Sequence, residues 1–378
     1  MMQRVMIIAG EASGDMHGAG VVRELKRHNP SMEIFGIGGD AMAREGMTLA
    51  YHVRELSFMG FVEVIQHLPL IRSVEKTLEQ LLKLKKPEVV VLIDYPGFNL
   101  RFARTIKRYG IKVVYYISPQ VWAWKKSRIK KMCTLIDKML VVFPFEVTLY
   151  QKEKIPVVFV GHPLLEELHV TLSREEFCTR FGLDASKKII ALLPGSRKQE
   201  VSNLLSVMVR AAYVLREQHD VEIVVAVAPN LSLEFLQRHI PPNFSVTFVE
   251  NATHELLHHA HSAIVASGTA TLETACFETP MVVVYRTSWL TYLIARVIVH
   301  IKNIALVNIV AGKTIVPELI QHHATVQNLA ASMNEYFLSD EKYIAVKKEL
   351  AIVKERLGNA GASKNVAREI LAMQSSSL

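Results

Sequence analysis

Short apolar, β-branched runs recur along the chain, each followed by a longer amphipathic stretch. In the first half the runs are VMIIAG, EIFGIGG, EVVVLID, KVVYYIS, KMLVVFP and PVVFVGH; in the second they are KIIALLPG, EIVVAVAP, SVTFVE, SAIVASG, MVVVYR and NIALVNIV. Runs that stay apolar without polar alternation suit strands buried on both faces, as in parallel sheets covered by helices. The strand–helix rhythm occurs twice. It predicts two Rossmann-like, doubly wound α/β domains. The boundary is expected between His162 and Lys187, giving domains of residues 1–170 and 171–378. The C-terminal helices either stay with the second domain or pack back on the first domain or on a partner. Ligands of such sheets bind beyond the carboxyl ends of the strands, so two domains facing across a cleft would suit an enzyme that joins two substrates.

Composition sharpens this picture. A chain of 378 residues, half of them hydrophobic, exceeds one typical core. The net charge of +8 and isoelectric point near 9.2 favour an anionic partner. The excess is confined to the first half: residues 1–165 carry 24 Lys/Arg against 15 Asp/Glu, and the remainder 20 against 21. Three scattered cysteines, Cys133, Cys178 and Cys276, form neither a disulfide framework nor a zinc pattern and fit a reducing cytosol. The apolar start VMIIAG is too short for a signal peptide. The longest apolar stretch, residues 288–312, is broken by Arg296, His300 and Lys302, so no uncharged span reaches the roughly 20 residues of a membrane helix.

The second half offers a nucleotide site. LLPGSRKQEV (192–201) reads as strand, turn and helix start, with Ser196 and Arg197 where free N–H groups and the helix dipole attract anions. Arg197 could grip a phosphate with two bonds, or Ser196 could simply cap the helix beside a solvated arginine. VASGTATLETACF (265–277) repeats the design: Ser267, Gly268 and Thr269 form a turn, and Glu273 lies one helical turn further on the same face. That carboxylate could accept both hydroxyls of a ribose; the four-residue spacing from Thr269 is wrong for a capping box. GIGGDA (36–41) lacks the third glycine of a dinucleotide fingerprint. The chain has no Asp-x-Asp pair and no clustered His/Cys set, so neither a divalent metal nor another cofactor is indicated. A departing diphosphate would then rely on helix ends and Arg197.

The first half offers acids instead. In GEASGD, Glu11 and Asp15 with Ser13 either cap the following helix or hold hydroxyls and supply a general base; capping suits Asp15 better than Glu11. VLIDYPGFNLR (91–101) puts Asp94 at the end of an apolar strand, with Pro96 and Gly97 expected to form the turn. Burial there would raise its pKa and suit it to accepting a proton near neutrality, although DYPG is also a good self-capped turn. His17 and His162 stay unassigned. SPQVWAWKKSRIKKM (118–132) sets Trp122 and Trp124 beside Lys125, Lys126 and Arg128, the marks of a membrane interface, or else of a buried pair beside a solvated basic face. FMGFVEVIQHLPLIR (58–72) could hold acyl chains or be an ordinary core helix. Lipid is favoured over nucleic acid, because no recognised nucleic-acid motif accompanies the basic run.

Together AGEASGDMHGAG, FGIGG, MGFVEV, LIDYPGFN, YYISPQVWAWKKSRIKK, VGHPL, LLPGSRKQEV, ASGTATLE, PMVVVYR and LVNIVAG run nearly end to end. In this order they resemble the lipid-A-disaccharide synthases, glycosyltransferases of the two-Rossmann-domain (GT-B) type. The resemblance implies transfer of 2,3-diacylglucosamine from its UDP derivative to 2,3-diacylglucosamine 1-phosphate (lipid X), forming a β-1,6-linked disaccharide and UDP. It implies an inverting, metal-independent reaction in the cytoplasm, with the enzyme peripheral on the anionic inner membrane of a Gram-negative bacterium, and a tendency to dimerise. By position it makes Asp94 the base, with Glu11 beside it, and puts Ser13 and Met59 on the acceptor side. Arg197, Glu200, Ser267, Gly268, Thr269, Glu273 and Asn308 fall on the UDP side. Many members carry a second acid where this chain has Gly97. The rival readings are a UDP-sugar epimerase or polyprenyl-linked sugar transferase of the same fold, and a basic nucleic-acid binder.

Overall fold

The computed structural model describes residues 2–56, 68–119, 129–130, 132–287 and 303–373. The chain divides into two compact units, Met1–Glu166 with Leu357–Leu378, and Glu167–Arg356. Unit 1 begins β1 (Arg4–Ala9), α1 (Ala12–His28), β2 (Glu33–Gly38), α2 (Asp40–Arg44), β3 (Thr48–His52), α3 (Leu68–Lys85), β4 (Val89–Ile93), α4 (Pro96–Arg108) and β5 (Lys112–Tyr116). It continues with β6 (Lys138–Val141), α5 (Pro144–Lys152) and β7 (Val157–Phe159), and α6 (Leu164–Glu167) then leads into unit 2. The seven strands are all parallel, in the order β3-β2-β1-β4-β5-β6-β7. Strand order reverses between β1 and β4, where Ala9 pairs with Ile93. β4 is buried along its whole length, which is why its sequence is VVVLI with no polar alternation.

Unit 2 contains α7 (Arg174–Phe181), β8 (Lys188–Leu193), α8 (Lys198–Arg216), β9 (Val221–Val227), α9 (Leu233–Gln237), β10 (Thr247–Glu250), α10 (Thr253–His259), β11 (Ser262–Ala266), α11 (Ala270–Cys276) and β12 (Met281–Tyr285). After the undescribed stretch come α12 (Leu306–Ala311), β13 (Glu318–Ile320), α13 (Val326–Leu338) and α14 (Asp340–Arg356). Its six parallel strands run β10-β9-β8-β11-β12-β13, reversing between β8 and β11, where Leu193 pairs with Val265. In each unit this reversal is the topological switch point, the place where strand-end loops diverge and leave a crevice.

Two features differ from the sequence expectations. NIALVNIV, expected as a strand, contains helix α12; it stops at Gly312, which takes the left-handed conformation (φ 71°) of a helix C-terminus. The edge strands β3 and β13 are not among the apolar runs, because polar residues cut the apolar stretches of TLAYH and ELI short. Of the C-terminal helices, α15 (Ala362–Ala372) belongs to unit 1. Val366 and Ile370 of α15 are fully buried. Ser363 donates from its N–H and Oγ to the Glu166 carboxylate (2.8 and 2.5 Å), and Asn365 donates to the Val160 carbonyl (3.0 Å). Gly20 on α1 is a glycine for this reason: any side chain there would run into Ser363.

Candidate functional site

In unit 1 the switch point sets the loop after β1 beside the loop after β4. β4 ends at Ile93, and Asp94 and Tyr95 then take left-handed backbone conformations (φ 43° and 45°) before Pro96 opens α4. The turn expected at Pro96 and Gly97 is therefore made one step earlier. Proline's fixed φ suits the first helical position, and Gly97 is already helical. Four hydrogen bonds hold the strand end. The Asp94 N–H donates to the Tyr116 carbonyl (3.0 Å), and the Asp94 carbonyl accepts from Tyr115 Oη (2.6 Å) and Asn99 Nδ2 (2.8 Å). Asn99 Nδ2 also reaches the Ile93 carbonyl (3.1 Å). Tyr95 donates to the Leu56 carbonyl (3.2 Å), and its ring lies where a side chain on Gly10 would stand.

The Asp94 carboxyl is pushed up from an ordinary 3.8 to about 6. Burial is the main cause, followed by the like charge of Glu11; a bond from the Tyr95 N–H and the proximity of His17 act the other way. Glu11 is the N-terminal boundary residue of α1, exposed and making no capping bond of its own, and Ser13 is exposed two residues on. Asp15 does cap a helix, but not its own. It is buried, and its carboxylate accepts from the N–H groups of Gly39 (2.6 Å), Met42 (3.0 Å) and Ala41 (3.0 Å) at the start of α2. The Gly39 position has no room for a side chain against this carboxylate, so part of the GIGGDA glycine run serves packing. Sequence reasoning left two histidines unplaced. His17 exerts charge effects on both Asp94 and His162, and burial holds His162 at about 3, hence neutral. Met59, Trp122, Trp124, Lys125, Lys126 and Arg128 lie outside the described residues, as does the acyl-chain candidate up to residue 67.

In unit 2 the loops after β8 and β11 flank the other switch point. Gly195 (φ 105°) turns the chain into α8, with Arg197 at its boundary. The N–H groups expected to be free for a phosphate are occupied. Glu200 Oε2 accepts from Ser196 N (3.1 Å) and Arg197 N (3.2 Å), while Oε1 pairs with Arg197 Nη1 (3.2 Å). Asn230, a residue the sequence reading missed, donates to the Ser196 carbonyl (2.8 Å). In the second turn, Ser267 is tied back through its N–H to the Val284 carbonyl (3.0 Å), and Gly268 and Thr269 are exposed. A side chain at Gly268 would meet nothing within 4 Å, so the front of this turn is open. The Glu273 carboxylate is largely buried and accepts no hydrogen bond from another described residue. Its pKa is raised by burial and then by the nearby Glu167 charge.

Asn308, placed by resemblance on the UDP side, is bonded within the protein. It is fully buried, and its amide is saturated by protein. Nδ2 donates to the Val316 carbonyl (2.9 Å) and Glu318 Oε1 (2.7 Å), and Oδ1 accepts from the N–H groups of Ile315 (2.8 Å) and Val316 (3.1 Å). Its chemistry is that of a clamp. With Glu318, which also accepts from Ile304 N (2.8 Å) and Ala305 N (3.2 Å), it fixes the start of α12. Among the described residues no group of three or more His, Cys, Asp or Glu side chains could hold a metal ion, and no helix is long and apolar enough to cross a membrane.

Comparison with known proteins agrees with this architecture. The chain is 14% identical to a UDP-GlcNAc 2-epimerase from Neisseria meningitidis solved bound to UDP-GlcNAc, with a TM-score of 0.68 over 98% of this chain and 100% of that one. It is also 14% identical to the calicheamicin glycosyltransferase CalG4, with a TM-score of 0.65 over 100% and 99%. At these identities the likeness is one of fold. Sequence relatives are much nearer. A lipid-A-disaccharide synthase of Geobacter sulfurreducens is 41% identical over 373 residues, covering 98% of this chain and 97% of the relative. One from Coxiella burnetii is 38% identical over 367 residues, covering 97% of each. The family model described as lipid-A-disaccharide synthetase matches residues 5–372, and the chain therefore belongs to that family.

Proposed function

We propose that this enzyme transfers 2,3-diacylglucosamine from UDP-2,3-diacylglucosamine to the 6-hydroxyl of lipid X, with inversion, releasing UDP. The carrying observation is Asp94, a carboxyl at the unit 1 switch point that ionises near pH 6. As carboxylate it takes the proton of the 6-hydroxyl while that oxygen bonds to the donor's anomeric carbon. The bond from that carbon to the diphosphate oxygen breaks on the opposite face. The Glu11 charge keeps Asp94 basic, and Ser13, exposed on the first turn of α1, serves the acceptor side. On unit 2 Arg197 neutralises the leaving diphosphate, and Glu273, a carboxylate with unused acceptor capacity, receives the ribose hydroxyls. The turn of Ser267, Gly268 and Thr269 lies open to the phosphates. Because Glu200 holds the Ser196 and Arg197 N–H groups, a diphosphate binding there displaces it.

The basic excess of residues 1–165 supports a peripheral site of action on an anionic inner-membrane surface, with acyl chains of both substrates drawn from the lipid. A homodimer is part of the same proposal. The test is incubation with UDP-diacylglucosamine and lipid X, with mass analysis of the product and a parallel arm in EDTA. Disaccharide 1-phosphate in both arms is the expected result. Turnover of unacylated UDP-N-acetylglucosamine without acceptor would instead establish the epimerase reading, and loss of product in EDTA would overturn the metal-independent scheme. Flotation with anionic against neutral vesicles, and light scattering, test the membrane and dimer expectations.

A further inference from the structure

Asp94 is held in an unfavourable backbone conformation, and the groups that hold it are buried and chemically specific. Two successive non-glycine residues in the left-handed region cost free energy that surrounding interactions must offset. The carbonyls of Ile93 and Asp94 are where the offset is made. Asn99, fully buried on the first turns of α4, bends its amide back to donate to both (3.1 and 2.8 Å). Tyr115, fully buried on β5, donates to the second (2.6 Å). Asn99 Oδ1 is itself buried without a hydrogen-bond partner among the described residues, a cost that an apolar residue of similar size would avoid. The position is thus defined by its two N–H donors. Tyr115 likewise carries its hydroxyl into a wholly buried place, with the strand-end carbonyl as acceptor.

We propose that Asn99 and Tyr115 are positioning residues for the transfer reaction: their donors lock the carbonyls at the end of β4, and this lock holds the Asp94 carboxyl where it meets the acceptor hydroxyl. The inference rests on Asp94 being the base. Neither residue touches substrate. Freed from the lock, the pair of Asp94 and Tyr95 relaxes toward extended backbone, and the carboxyl turns out of its partly buried seat into water.

The test compares Tyr115→Phe, which keeps the ring, Asn99→Ser, which keeps one shorter donor, and Asp94→Asn, all in the full chain with UDP-diacylglucosamine and lipid X. The expected result for Tyr115→Phe and Asn99→Ser is a fall in kcat of tenfold or more with KM for the donor within twofold. The acid limb of the kcat profile also moves below 6, because a solvated carboxyl returns toward its ordinary range. A loss of kcat with an unmoved limb, or wild-type kcat and limb in a folded variant, overturns the inference. If Tyr115→Phe is recovered unfolded, Asn99→Ser decides by the same readouts. An inactive Asp94→Asn beside a Tyr115→Phe enzyme of wild-type behaviour removes the positioning role and leaves the base in place. A fully active Asp94→Asn removes the base and the lock together.

Discussion

As the proposed base, Asp94 shows how a residue suited to proton transfer works against the stability of its fold. Its carboxyl is raised from 3.8 to about 6, mainly by burial. Below pH 3.8 the group is protonated in folded and unfolded chains alike, and the shift costs nothing. As pH rises to 6 the unfolded chain loses its proton first, and above 6 the folded state carries the full penalty of about 3 kcal/mol. Asp94→Asn should therefore abolish turnover and yet stabilise unit 1 by up to about 3 kcal/mol at pH 8, with little gain at pH 3.5. Denaturant melts at the two pH values check this; equal gains at both would exclude the ionisation account. In the wild-type enzyme kcat should rise with pH through a midpoint near 6, as the carboxylate form accumulates. Gly97 tests the same neighbourhood. A side chain there meets nothing within 4 Å, and the position is the second of α4. Gly97→Asp is expected to add about 1 kcal/mol of stability through helix propensity and the helix dipole. A like charge near Asp94 should also shift the acid limb of kcat upward.

At the scale of elements, single carboxylates decide how helices begin. Asp15 satisfies three N–H groups of α2, and Asp15→Ala leaves those of the buried Gly39 and Met42 without an acceptor. A loss of about 2–4 kcal/mol is expected in the chemical denaturation of unit 1. Glu200 does the same for α8, and under the proposed function it competes with the diphosphate for the same two N–H groups. Glu200→Ala should lower the melting temperature of unit 2 while tightening UDP binding, measured by calorimetry; weaker binding would mean that Glu200 helps the nucleotide rather than standing in its place. Much of this scale was legible in the sequence. The doubly buried strands announced themselves as unbroken apolar runs, and the segments that follow them carried Glu11, Asp94, Arg197 and Glu273. What escaped was long-range or local in a different sense. Asp15 reads as a cap, but nothing in GEASGD says that the capped helix starts at residue 40. Asn308 is placed on the UDP side by resemblance alone, and nothing in the apolar periodicity marks its partners Ile315, Val316 and Glu318 beyond the turn. The short edge strands β3 and β13 lack the buried pattern that betrays a central strand.

On the scale of the molecule, two parallel-sheet units account for both sequence halves, and the family relationship over residues 5–372 covers both. Unit 1 is finished by α15, whose Ile370 is fully buried. Ile370→Ala should cost unit 1 about 2–4 kcal/mol and leave the unfolding of unit 2 where it was, a split that scanning calorimetry can resolve. The closure of unit 1 by residues 357 onward has a further consequence for synthesis. A ribosome delivers the first 166 residues long before the helix that seals them, and the whole of unit 2 emerges in between. The nascent amino-terminal sheet has all its strands but must wait with the flank of α1 near Gly20 uncovered, while the later-made unit needs nothing beyond Arg356. Maturation on the ribosome should accordingly run against the order of translation, with the second-made lobe resisting protease first and the first-made lobe last.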